Sequence, residues 1–163
     1  MELNSENDGM SLDDILTILK SSLDASLPKG KRLFFNIQLE ENLYTQNHYL
    51  LLSIFRNLFN NAIEAADGNP VELSVRQSST DSSYVIEVED HGPGIDLCGK
   101  TRFKNLFHIL RINYETGEVN RGLGLSLVKD FIELRLGGTI QVASVPGKTV
   151  FTLTIPKEKW SGL

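Results

Sequence analysis

The sequence comprises 163 residues, 40% of them hydrophobic and 23% charged, which suffices for one domain with a single core and is ordinary for a soluble globular protein. Its net charge of −5 argues against a surface built for nucleic acid, and the lone cysteine, Cys98, excludes an internal disulfide and suits a reducing, cytoplasmic compartment. No apolar run approaches the roughly 18 residues of a membrane span, so no membrane contact by this chain is expected.

Residues 1–10 are polar and acidic, lack the features of a signal peptide and read as a disordered or appended leader. A domain is expected over 11–157 and a tail over 158–163. Ser11 with Asp14 resembles a capping box, and Leu12, Ile15, Leu19 and Leu23 make a helical stripe to about Ala25. After the break at Pro28-Lys29-Gly30, Leu33, Phe35, Ile37 and Leu39 alternate as a half-buried strand. A long helix is expected from about Asn47 to Ala66, ended by Asp67-Gly68-Asn69-Pro70. Strands around Val71–Val75 and Tyr84–Val88 follow, with Ser78 to Ser83 as the hairpin loop between them. Residues 96–121 have no regular pattern, and loops of that length are commonly functional. A helix from about Leu123 to Leu136 stops at Gly137-Gly138, and strands over Thr139–Val145 and Thr149–Ile155 close the chain around a Pro146-Gly147 turn. Three helices and about five strands that do not strictly alternate predict an α+β two-layer sandwich.

The long helix has two faces. Leu51, Phe55, Leu58, Phe59 and Ala62 fall on one stripe, and Ser53, Asn57, Asn61 and Glu64 on the opposite one. The second stripe either faces water or binds a ligand. Asn is a poor helix former with little reason to recur at this spacing, and its neutral oxygen suits a magnesium ion already surrounded by phosphate.

Asp90 shares the parity of Tyr84, Ile86 and Val88 and ends that apolar row before His91-Gly92-Pro93-Gly94-Ile95. A carboxylate there needs a donor, since burying it unpaired is costly. The donor is either an exocyclic amine such as that of adenine, or a backbone amide of the turn.

Gly122 and Gly124 open the last helix within Asn120-Arg121-Gly122-Leu123-Gly124-Leu125-Ser126. They either expose amides to phosphate at a helix N-terminus or allow close helix–sheet packing. The spacing is not a dinucleotide fingerprint, and Gly147-Lys148-Thr149 is not a P-loop, because Val142 stands where the first glycine is required. Lys100, Arg102 and Lys104 read as a solvated face, whereas Arg111 and Arg121 are candidates for phosphate contact.

Together these segments resemble a known family. Asn57-Leu58-Phe59-Asn60-Asn61-Ala62 resembles the N box of the GHKL ATPases, in particular of sensor histidine kinases, and Asp90-His91-Gly92-Pro93-Gly94-Ile95 their first glycine box. Phe107 through Asn113 is similar to the lid motif and Gly122-Leu123-Gly124-Leu125 to the second glycine box, in the family's order, so that the resemblance runs from about Leu12 to Pro156. It implies a Bergerat-type fold: a mixed sheet of about five strands covered by three helices. It further implies Mg2+ and ATP as cofactors, with Asn61 on the metal, Asn57 on the phosphates and Asp90 on the adenine amine. Gly92, Gly94 and Ile95 would shape the adenine pocket, and Arg111, Arg121, Gly122, Leu123 and Gly124 would contact or enclose the triphosphate. Three positions depart from the pattern: Glu64 replaces a frequent lysine, Asn120 a frequent glycine, and the lid motif is one residue short. The Asn61-Ala62-Ile63-Glu64-Ala65-Ala66 ending is similar to the citrate- and peptide-sensing branches.

The resemblance also bears on chemistry. Hydrolases of the superfamily carry a glutamate four residues before the magnesium Asn as general base; Asn57 stands there and accepts no proton, so slow hydrolysis and transfer to a partner are expected, with no catalytic side chain of this chain's own. The implied receiver is a histidine on a separate dimerisation domain, with a response regulator downstream and a membrane-anchored sensor as parent. His48, His91 and His108 lie outside any receiver motif, so the chain alone is not expected to label itself. The alternatives are a degenerate nucleotide-binding docking module and a serine kinase of the anti-sigma-factor type.

Overall fold

The computed structural model describes residues 9–65, 70–92 and 127–160. In chain order these form β1 (Met10–Ser11), α1 (Leu12–Ser26), β2 (Leu33–Leu39), β3 (Tyr44–Thr45), α2 (His48–Ala65), β4 (Val71–Ser79) and β5 (Ser83–Asp90). The segment α3 is α-helical over 127–130 and widens into a π turn at Phe131–Arg135. It is followed by β6 (Thr139–Val145), β7 (Lys148–Pro156) and α4 (Lys157–Trp160).

The main sheet has the order β2-β4-β5-β7-β6 and is mixed. β2 and β4 are parallel, with Phe35 opposite Leu73, because α2 carries the chain back to the same end; the remaining pairs are antiparallel. Val71, Leu73 and Val75 of β4, Ile86 and Val88 of β5, and Phe151, Leu153 and Ile155 of β7 are buried at alternate positions, so one face of the sheet carries the core. Leu12, Ile15, Leu16, Leu19 and Leu23 of α1, with Leu51, Ile54, Phe55, Leu58, Phe59 and Ala62 of α2, complete it. Phe59 meets Phe35 edge-on at 5.1 Å and stacks on Phe55 at 5.9 Å. This is the expected two-layer sandwich.

Local chemistry sets the element ends. Ser11 Oγ accepts from the Asp14 amide at 3.1 Å, the N-cap bond that the sequence predicts. Gly137 ends α3 in the left-handed region (φ 60°), and the Gly138 amide reaches back to the Ile132 carbonyl at 2.8 Å, one residue further than in an ordinary glycine cap because the turn is π.

Several expectations change in detail. The β4–β5 hairpin is longer than expected, and its loop shrinks to residues 80–82, closed by Thr80 N–H on the Ser83 carbonyl at 2.8 Å. A small ribbon, β1 on β3, appears at the start of the domain, so Met10 lies inside the folded unit and not in the leader. At the other end the expected tail is structured over 158–160: α4 buries Trp160, whose indole N–H donates to the Tyr44 carbonyl at 3.0 Å and whose ring meets Tyr84 edge-on at 5.7 Å. The reason is that a tryptophan is too large and apolar to leave in water beside an uncovered tyrosine. Among the described residues no helix is long and apolar enough to cross a membrane.

Candidate functional site

Ser53, Asn57 and Asn61 of α2 flank the core stripe and do not lie opposite it as the sequence pattern suggests, because the sheet end covers their side of the helix as well. Ser53, Asn57 and Asn61 are half-buried, between the core stripe and the exposed Arg56 and Asn60. The Asn57 side-chain amide donates to the Ser53 carbonyl at 2.8 Å, which fixes its rotamer and leaves its second N–H and its oxygen for a ligand. Asn61 differs: its Nδ2 is buried and has no hydrogen-bond partner among the described residues. An unpaired buried amide costs about 1–3 kcal/mol, so this group is in want of an acceptor.

Asp90 is the last residue of β5. Cross-strand registry aligns Leu73, Asp90, Thr149 and Ser144 in one row, and the buried Leu73 places that row on the helix-covered face. α2 ends at Ala65 and the chain re-enters the sheet at Val71, two residues before Leu73. The C-terminal part of α2, with Asn61 one turn from its end, therefore lies at the same end of the sheet as Asp90. The Asp90 carboxylate accepts from the Gly92 amide at 3.0 Å, so the turn reading of Asp90 is realised. The other carboxylate oxygen has no partner among the described residues, so the ligand reading remains available as well. Burial pushes the Asp90 carboxyl above the usual aspartate range, and the neighbouring Glu89 adds to this; the Gly92 amide and His91 pull less strongly the other way.

Two features escaped the sequence reading. Thr149 is buried beside Asp90, its hydroxyl 2.7 Å from that of Ser144. On the opposite face Glu89 is only 7% exposed, although alternation assigns it to solvent. It binds Arg76 at 3.1 Å, His91 at 3.1 Å and Lys148 at 3.5 Å. Burial alone would raise the Glu89 carboxyl, but the Arg76 hydrogen bond and charge, with Lys148 and His91, outweigh it and hold the group below the usual glutamate range. Such alternation signals only which face a residue occupies, not what covers it.

Of the expected site residues, Asn57, Asn61, Asp90 and Gly92 are thus described, and the structure brings Asn61 and Asp90 to one end of the sandwich. Gly94, Ile95, Arg111, Arg121, Gly122, Leu123 and Gly124 lie outside the described residues. Among the described residues no cluster of three or more His, Cys, Asp or Glu could hold a metal by itself. A neutral Asn61 amide fits only a metal that arrives with most of its oxygen ligands, as a nucleotide-bound magnesium does.

A mixed five-stranded sheet under helices, with an acid at a strand end and an asparagine of the covering helix at the same end, is the architecture of an ATPase-type sandwich. Residues 47–159 match the family of histidine kinase-, DNA gyrase B- and HSP90-like ATPases. Over 114 residues the chain is 36% identical to the sensor protein CitS of Bacillus subtilis, covering 69% of this chain and 20% of that protein. Over 151 residues it is 32% identical to the sensor histidine kinase DcuS of Escherichia coli, covering 91% of this chain and 26% of that one. Among solved structures, the catalytic domain of the histidine kinase ThkA superposes with a TM-score of 0.72 at 21% identity, covering 92% of this chain and 96% of that one. ThkA in complex with the response regulator TrrA superposes with a TM-score of 0.67 at 20% identity, covering 92% and 41%. The chain belongs to the histidine kinase-, gyrase B- and HSP90-like ATPase family, and within it is an ATP-binding catalytic domain of the sensor histidine kinase type. It spans about a fifth to a quarter of the length of these curated relatives.

Proposed function

We propose that this domain holds Mg-ATP at the end of the sheet where Asn61 and Asp90 lie, and presents the γ-phosphate to a histidine on a separate dimerisation domain. The observation that carries the reading is the pair of polar groups there that are incomplete among the described residues: the Asn61 amide nitrogen without an acceptor and the Asp90 carboxylate engaged on one oxygen. A carboxylate with one free oxygen accepts from the adenine 6-amine. An amide carrying both a carbonyl oxygen and an unpaired N–H serves a phosphate-bound magnesium and a phosphate oxygen together. Magnesium bound in this way supplies neutralisation of the phosphate charge. Asn57, held by Ser53, offers its remaining N–H to the phosphates. Gly92 sits buried against Asp90, and Gly94, Ile95, Arg111, Arg121, Gly122, Leu123 and Gly124 complete the pocket by position in the family pattern.

Asn57 has no basic group with which to activate water, so the domain positions phosphate for transfer and does not hydrolyse it rapidly. The receiver is a histidine of the parent kinase, a response regulator lies downstream, and the domain works in the cytoplasm. The solved complex of ThkA with TrrA supports the regulator as a partner class.

The test is transfer of radioactive phosphate from ATP to a supplied dimerisation domain. Acid-labile label on that domain, none on this chain and little free phosphate are expected. Acid-stable label would instead indicate a serine kinase, and binding without transfer a docking module.

A further inference from the structure

We propose that Glu89 is a positioning residue for adenine recognition, holding the Asp90 turn from the back of the sheet. This rests on the nucleotide reading above and adds to it a residue on the face that no nucleotide touches. Glu89 and Asp90 are neighbours on an extended strand, so their side chains project to opposite faces. Each is tied to the residue two positions on: Asp90 Oδ1 accepts from the Gly92 amide at 3.0 Å, and Glu89 Oε2 binds His91 Nε2 at 3.1 Å. The two bridges interleave, one on each face, and together fix the direction in which the chain leaves β5.

The Glu89 bridge is anchored on both sides. Arg76 comes from β4 at 3.1 Å and Lys148 from β7 at 3.5 Å, both on the other carboxylate oxygen, Oε1. Glu87 shares Arg76 at 3.4 Å and keeps the guanidinium directed along the strand. Arg76 and Lys148 lie in the two strands that flank β5, so the carboxylate is held in the sheet itself while its second oxygen reaches the turn. Glu89 is nearly buried whereas His91 is exposed, which makes Glu89 the fixed end and His91 the held end. A carboxylate sunk between two cations would stabilise the sheet without His91; the bond to His91 is what directs it to the adenine turn.

The expected consequence is specific to the base. Releasing the turn lets the Asp90 carboxylate wander from the position in which it accepts from a 6-amine, and leaves phosphate contacts on α2 intact. The experiment is calorimetric titration of the 163-residue chain with Mg-ATP and with Mg-ITP, which has a carbonyl where adenine has its amine. Wild type, Glu89→Gln and His91→Ala are compared, each with a thermal melt. For Glu89→Gln, ATP affinity should fall about tenfold with ITP affinity little changed, because the carboxylate contact that holds His91 is lost. For His91→Ala, exposed and dispensable for packing, the ATP preference should fall about threefold at an unchanged Tm.

If both variants keep the wild-type ATP-to-ITP ratio, or if both nucleotides weaken equally, the positioning role is overturned. Should Glu89→Gln not fold, His91→Ala decides alone. A wild type that binds neither nucleotide removes the nucleotide reading itself, and one that binds both equally removes adenine recognition by Asp90.

Discussion

Asp90 and Thr149 are direct partners across the β5–β7 ladder, on the face that the helices cover, and Thr149 in turn pairs with Ser144 at 2.7 Å. The row is polar at the one end of the sheet where the core strands would otherwise continue apolar. Thr149 is buried and its hydroxyl engaged, so it walls Asp90 without neutralising it, and among the described residues the carboxylate has the Gly92 amide as its hydrogen-bond partner, on one oxygen.

From this follows a divergence between stability and binding in Asp90→Asn. Folding raises the Asp90 pKa, chiefly through burial. A carboxyl raised on folding favours the folded state below its unfolded value, and that contribution is lost as pH rises through the folded value. At neutral pH the ligand-free domain therefore carries a buried charge that the amide removes. Asp90→Asn should melt a few degrees higher, about 2–4 °C for each 1 kcal/mol in a domain of this size, while losing ATP affinity about 100-fold. The wild type should lose ATP as pH falls, at a higher pH than an ordinary aspartate would give. Calorimetry from about pH 4, near the ordinary aspartate value, up to about pH 8 checks both.

Asn61→Ala makes a parallel case on α2. The variant deletes a buried amide whose nitrogen has no partner among the described residues, so the ligand-free variant should melt no lower than wild type, relief of the unpaired amide offsetting the packing lost. Magnesium should no longer improve nucleotide affinity. Titrations with and without the metal decide; a Tm collapse would mean that the side chain is structural.

The sandwich was legible because its signals are local. The period-two runs at Leu33–Leu39, Val71–Val75 and Thr149–Ile155 and the apolar stripe of α2 each follow from one segment's own pattern. Asn57, Asn61 and Asp90 were legible because asparagines on a helix and an acid ending an apolar row break such patterns. What depends on pairing was not. Registry sets Thr149 beside Asp90, and Arg76 with Lys148 from flanking strands turns Glu89 from a solvent residue into a buried one. The β1–β3 ribbon and the docking of Trp160 join segments far apart in sequence, and no local pattern announces them.

Trp160→Ala should cost about 3–5 kcal/mol, the range for truncating a buried aromatic, since it removes the Tyr84 contact and the bond to the Tyr44 carbonyl that closes the domain. Urea denaturation checks this, with nucleotide affinity at saturating stability unchanged because α4 lies away from the Asp90 row.

Gly138→Ala tests the passage from α3 to β6. A methyl there would sit 2.2 Å from the Thr154 carbonyl oxygen, and that oxygen is backbone of a paired strand that cannot retreat. Among the described residues Gly137 has only the Lys159 side chain within reach, at 3.8 Å, but holds a positive φ. Gly138→Ala should therefore be the worse of the two, by steric displacement of β7, and Gly137→Ala should lose about 1 kcal/mol through backbone strain alone. Equal melts for the two variants would contradict the close approach.

Glu89 supplies the acid-side stability. Its pKa is lowered on folding because Arg76, Lys148 and His91 outweigh burial. A carboxyl lowered on folding stabilises above its unfolded value, and that stabilisation is lost as pH falls through the folded one. The wild type should therefore lose stability on acidification more steeply than Glu89→Gln, in which no proton is taken up at this position. At neutral pH the variant should melt lower, because the amide cannot answer the Arg76 and Lys148 charges that remain around it. The two denaturation curves should converge as pH falls toward the lower end of the carboxylate range. Parallel curves would mean that the cations hold Glu89 no more tightly in the folded chain than water does in the unfolded one.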